Sequence, residues 1–142
     1  MRFSRLIVLF ALCLTVASCS FYYGPREEVK AFADDKDALI MAISKKVEAD
    51  PTLAGVAEAQ KLVDAKKDSL YSQRQAIDHA KPGMNANWRL ALADSQTSDR
   101  KFLEMIALKL GTNCKDSCSE VRGKFSELQD SFNKATKLPD EI

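Results

Sequence analysis

Beyond about residue 26, apolar positions recur every three or four residues through most of the chain, the spacing of one face of an α-helix. Leu39, Ile40, Ile43 and Val47 predict a first helix, clearest over 37–48, and Val29 and Phe32 carry the stripe back towards Pro25. Asp50-Pro51 interrupts it, because the residue before a proline is pushed out of helical geometry while the proline suits a new first turn. Val56, Ala59, Val63, Leu70 and Ile77, with Leu53 and Leu62 beside them, predict a second helix over 52–80, stopped by Lys81-Pro82-Gly83. A third is expected to start near Asn85 or Asn87 as cap and to end at Gly111. Trp88, Leu92, Ser95, Phe102, Met105 and Ile106 share one side of it, and the weak helix formers of "DSQTSD" (94–99) leave open whether it is continuous, kinked or broken there. The fourth has Ser117-x-x-Glu120 as a capping box and Val121, Phe125, Leu128, Phe132 and Ala135 as its stripe, and it ends at Leu138-Pro139. Such striped helices, joined by short connections, need one another's apolar faces. The fold expected over 26–142 is all-α: a small antiparallel bundle of three to four helices.

The first 18 residues follow another pattern. Arg2 and Arg5 precede an apolar run of eleven residues, Leu6 to Val16, which ends on the small Ala17 and Ser18. This is the three-part build of a cleaved export signal. The run is too short to span a bilayer, which takes about 20 apolar residues. Residues 1–18 are therefore expected to be a signal peptide and 19–25 a tether. Phe21, Tyr22 and Tyr23 in the tether either lie at headgroup level, where amphipathic rings are favoured, or pack on the domain.

Val16-Ala17-Ser18-Cys19 resembles the lipobox of bacterial lipoproteins: an aliphatic residue, two small residues and an obligatory cysteine. Val stands where Leu is commoner. The resemblance implies that the Cys19 thiol becomes a thioether to diacylglycerol, and that Cys19 becomes the first residue of the mature chain. The other reading is an ordinary signal-peptidase cut at the same bond and a secreted soluble protein. Cysteine parity separates the two. Cys13 leaves with the signal, and the mature chain keeps Cys19, Cys114 and Cys118. An odd thiol is a liability in an oxidising compartment, and lipidation removes it. Two or more acyl chains give stable anchoring. In hosts that sort lipoproteins by the next residue, Ser20 in place of Asp points to the outer rather than the inner membrane.

Composition narrows the function. The signal holds two of the 21 basic residues and none of the 20 acidic ones, which leaves a 124-residue mature chain with 19 against 20. No block of Lys or Arg stands out, so nucleic acid is not an expected partner. Scarce Gly and Pro beside abundant Ala, Leu, Lys, Gln and Glu agree with helices.

Candidate chemistry is sparse. Cys114 and Cys118 in "NCKDSC" are expected to form a disulfide between a loop and the first turn of the fourth helix, since Cys-x3-Cys is neither the thiol-redox nor the zinc spacing. His79, the one histidine, is expected on the surface at the end of the second helix, where the helix dipole favours it. A haem site would have to pair it with Met41, Met84 or Met105, and no Cys-x-x-Cys-His is present. Nucleophile elbows, glycine-rich phosphate loops and Glu-x-x-His pairs are absent. Trp88 with Arg89 marks either a binding surface or a core tryptophan at a helix start. No cofactor or metal is expected.

These features point to a non-enzymatic helical lipoprotein of the envelope. The membrane would be reached through lipid on Cys19, and the function would be contact with an envelope protein as adaptor, pilot or inhibitor. In gross plan it resembles the small helical pilotins of secretion systems, which combine a lipid anchor, four helices and a disulfide; no pilotin motif is present. The alternative is a periplasmic carrier that holds an apolar molecule or haem between helices, with Met41 and Met105 lining the cavity.

Overall fold

A computed structural model of the chain describes residues 27–80, 86–115 and 117–137. These form four helices: α1 Glu27–Ala49, α2 Leu53–Ala80, α3 Ala86–Asn113 and α4 Cys118–Thr136. The signal, the tether with Cys19, the 81–85 connection with Met84, and the Leu138-Pro139 stop lie outside the described residues. Among the described residues no helix is long and apolar enough to cross a membrane.

The stripes form the core. Val29, Phe32, Leu39, Ile40, Ile43 and Val47 of α1 are buried, and so are Val56, Ala59, Val63, Leu70 and Ile77 of α2. Val121, Phe125, Leu128, Phe132 and Ala135 of α4 join them, each at the position its spacing predicts. Leu53, Leu62 and Trp88 pack partly buried against this core. The all-α bundle expected from the sequence is the architecture observed.

Its arrangement adds a detail. α1 packs against α2 and α3, and α4 packs against α2 and α3, so that α2 and α3 face each other across the bundle. Consecutive helices run antiparallel. The neighbours α1 and α3, however, run in parallel: Lys36 meets Asp99, and Glu48 meets Lys109. α2 and α4 are parallel as well, with Pro51 beside Lys115 at one end and Arg74 beside Lys134 at the other. The α1–α2 turn and the α3–α4 turn therefore share the distal end, while α1 begins at the proximal end.

α3 departs most from expectation. It is continuous through 94–99, a stretch whose continuity the sequence leaves open. The polar side chains there have partners: Thr97 donates to the Ala93 carbonyl at 3.1 Å, and Ser95 and Asp99 both receive Lys36 from α1. The buried track is Leu92, Asp99, Leu103, Ile106 and Leu110, rotated from the predicted side but overlapping it: Leu92 and Ile106 are buried as expected, Trp88, Ser95 and Phe102 are half-buried, and Met105 is 43% exposed. α3 also runs past Gly111 to Asn113. Gly111 is no cap: it lies inside the helix where Arg122 of α4 comes close, and a Cβ there would sit 3.3 Å from Arg122 Cδ.

The caps differ too. Ser117 precedes α4 but makes no side-chain capping bond, so the expected capping box does not form. A side-chain cap forms instead at α2, where Thr52 Oγ1 accepts the Gly55 N–H at 3.3 Å and donates to Asp50 Oδ1 at 3.0 Å. Gly55 is required by this tight turn, since a Cβ on it would overlap the Asp50 carbonyl oxygen. At the proximal end of α4, Arg74 from α2 donates to the Lys134 and Lys137 carbonyls, each at 3.0 Å, satisfying acceptors that a helix end leaves open.

Candidate functional site

The sequence-predicted residues occupy separate parts of the bundle. Cys114 and Cys118 are bonded at the distal end with a Cα separation of 5.6 Å, within the ordinary disulfide range. The loop between them is docked as well as closed: the Lys115 N–H donates to the Pro51 carbonyl at 3.2 Å, tying the α3–α4 turn to the α1–α2 turn. His79 is exposed in the last turn of α2. Met41 is 62% exposed on α1, and Met105 also faces outward, so neither reaches into the bundle to line an internal cavity with His79. Among the described residues no group of three His, Cys, Asp or Glu side chains could hold a metal ion.

The feature missed from the sequence is a buried ion pair. Lys36 stands in the apolar track of α1 and is 1% exposed, and its ammonium donates to Asp99 Oδ2 of α3. It also donates to Ser95 Oγ at 2.9 Å and lies 5.5 Å from the Phe32 ring centroid, within cation–π range. A charge this deep is tolerated only when paired and hydrogen-bonded. Burial pushes the Asp99 carboxyl above its ordinary range, the Lys36 bond and charge pull it down, and Asp37 nearby adds to the rise; the net direction is upward. A signal was available in the sequence. A lysine at the fourth position after Phe32 and a turn before Ile40 interrupts an otherwise apolar track, as Asp99 does between Leu92 and Leu103.

The pair sits where α1 and α3 meet, with a groove on either side of Asp99. One, of about 320 Å³ between α1 and α3, is lined by Asp37, Ile40, Met41, Ser98, Asp99 and Phe102. The other lies between α3 and α4, beside Gln96, Arg100 and Phe132. Further along the α1–α3 seam a third depression has a floor of Val47, Ile106 and Leu110, with Glu48 and Lys109 paired at 3.1 Å on its rim. The Lys109 bond and charge hold the Glu48 carboxyl below its ordinary range. All three are open clefts on the outside of the bundle.

No protein-family model, no curated protein and no solved structure matches this chain.

Proposed function

We propose that the chain is a lipid-anchored helical lipoprotein of the bacterial envelope, acting without catalysis as a protein-interaction module of the adaptor, pilot or inhibitor kind. The observation that carries the anchor is cysteine parity joined to Val16-Ala17-Ser18-Cys19. Cys114 and Cys118 bond to each other, so Cys19 is the odd cysteine of the mature chain and the one placed for acylation. Lipid on Cys19 would hold the proximal end of the bundle at the bilayer. The disulfide end would then stand about 35 Å further out, the length of the 23-residue α1.

Contact with another protein is supported by the surface. Met41, Leu90 and Leu108 are each more than 60% exposed, and open clefts run along the α1–α3 seam. Residues of these types on an outer face suit docking, and methionine adapts to different partners. Ser20 following Cys19 favours the outer membrane as the site of attachment.

The intact mass of protein from native membranes tests the first half: a chain beginning at Cys19 with acyl groups attached is expected. A Cys19→Ser form that is exported and stays as firmly on membranes would refute the anchor. Affinity capture from solubilised membranes tests the second half, and failure to recover any reproducible partner would sink it.

A further inference from the structure

We propose that the groove between α1 and α3 receives the side chain of an arginine or lysine carried by the protein partner, its aliphatic stem against Ile40, Met41 and Phe102 and its cationic head on Asp37. The inference rests on the interaction reading above and names the chemistry of the contact.

The walls and the charge of the groove decide the occupant. Ile40, Met41 and Phe102 form an apolar wall, and Asp37, Ser98 and Asp99 supply the oxygen atoms. A long unbranched stem with a charged tip matches that division, because such side chains lay their methylenes on apolar surface and keep the head among polar groups. A wholly apolar side chain would leave Asp37 facing it unpaired, and an anion would meet carboxylates.

The sign follows from who is already paired. Lys36 neutralises Asp99 and is consumed by that bond and by Ser95. Asp37 takes part in none of the ion pairs among the described residues, and Asp34, exposed a turn earlier, takes part in none either. The groove therefore keeps, at Asp37, a negative charge that none of the ion pairs among the described residues answers. Asp99 adds an acceptor: Oδ2 is bonded to Lys36, whereas Oδ1 has no bond among the described residues. A bare cation is a poor fit, since the ligand count for a metal is missing. The partner is taken to be a different protein, because charge complementarity asks for a basic residue set in an apolar segment.

The test uses the full chain in phosphatidylcholine nanodiscs, with methionine methyls labelled for NMR, and n-butylguanidinium as the probe at matched ionic strength. The Met41 methyl is expected to shift saturably, with a dissociation constant on the order of 10 mM for a ligand of this size. Met105, outside the groove, should stay in place. The neutral isostere n-butylurea should bind at least about three-fold more weakly, the discrimination of one partly exposed charge pair, and Asp37→Asn should erase that preference without loss of helicity. Equal binding of the two probes, an unsaturable Met41 shift, or matching shifts of Met41 and Met105 would overturn the proposal. So would a captured partner whose binding is unchanged by Asp37→Asn, or a dimer of this chain that Asp37→Asn dissociates, which would put a second copy in the groove. Because the probe needs no partner, a failed capture with an intact Met41 response would refute the interaction reading and not the groove.

Discussion

Substituting Lys36 and Asp99 singly and together measures how the bundle holds α3. Lys36→Met leaves the Asp99 carboxylate buried without its cation. The cost of that charge has a ceiling, since the carboxyl can take up a proton instead. From its ordinary value of 3.8, protonation costs about 4 kcal/mol at pH 7 and about 1.6 kcal/mol at pH 5. Asp99→Leu strands an ammonium that is 1% exposed, and breaking a buried pair in this way costs about 3–5 kcal/mol. The double variant Lys36→Met/Asp99→Leu leaves no charge behind and fills similar volume, so it should lie within about 1 kcal/mol of the parent or above it. Urea unfolding followed by far-ultraviolet circular dichroism, with fluorescence of the single Trp88 as a second probe, gives the four free energies of the cycle. Coupling of at least about 2 kcal/mol is expected, and the Lys36→Met penalty should shrink between pH 7 and pH 5. Single changes that cost under 1 kcal/mol and simply add would show that the pair is solvated, and the account of α3 would fall.

Four further outcomes follow from particular contacts. The Asp99 carboxyl is raised on folding, so the folded state holds its proton up to a higher pH than the unfolded state; this contribution weakens stability as pH rises from 3.8 through the folded value, and the parent should gain on Asp99→Asn as pH falls through that window. Glu48 runs the other way, its Lys109 contact being present above 4.5 and lost as pH falls through the lowered folded value, in a salt-sensitive manner. Two of the helical glycines should respond oppositely: Gly123→Ala, in open space on α4, should stabilise by about 0.5–1 kcal/mol, whereas Gly55→Ala should destabilise because Asp50 must move, both read as urea midpoints. Replacing Cys114 and Cys118 by serine should cost about 2 kcal/mol for so short a loop, and hydrogen exchange should show the loss first at the Lys115 amide bonded to Pro51.

The helix pattern was legible in the sequence wherever burial is purely apolar. α4 repeats without a polar intruder, and all five residues assigned to its inner face are buried. α3 was misread because its inner track contains Asp99, which hydropathy places outside; without it the remaining apolar residues suggest a face rotated towards Met105. Only the partner on α1, 63 positions away, makes a buried aspartate affordable. Helix ends were misjudged for a related reason. Gly111 has the composition of a stop, but it lies inside α3 beside Arg122 of α4, and the helix ends at Asn113, one residue before the disulfide-bonded Cys114. The seam clefts are a product of which helices are neighbours, and no periodicity within one helix reports that.

The parallel placement of α1 beside α3 and of α2 beside α4 has a consequence for how the chain reaches its native state. Each hairpin can close through local contacts as soon as its second helix emerges, but the hydrogen-bonded pairs that join the hairpins are 59–64 positions apart. A nascent α1–α2 hairpin therefore waits with the Lys36 ammonium and an oily flank bare until Asp99 has been synthesised. Docking of the two halves, and not helix growth, should govern the folding rate, and holding the hairpin in solution through that interval is where a chaperone would act.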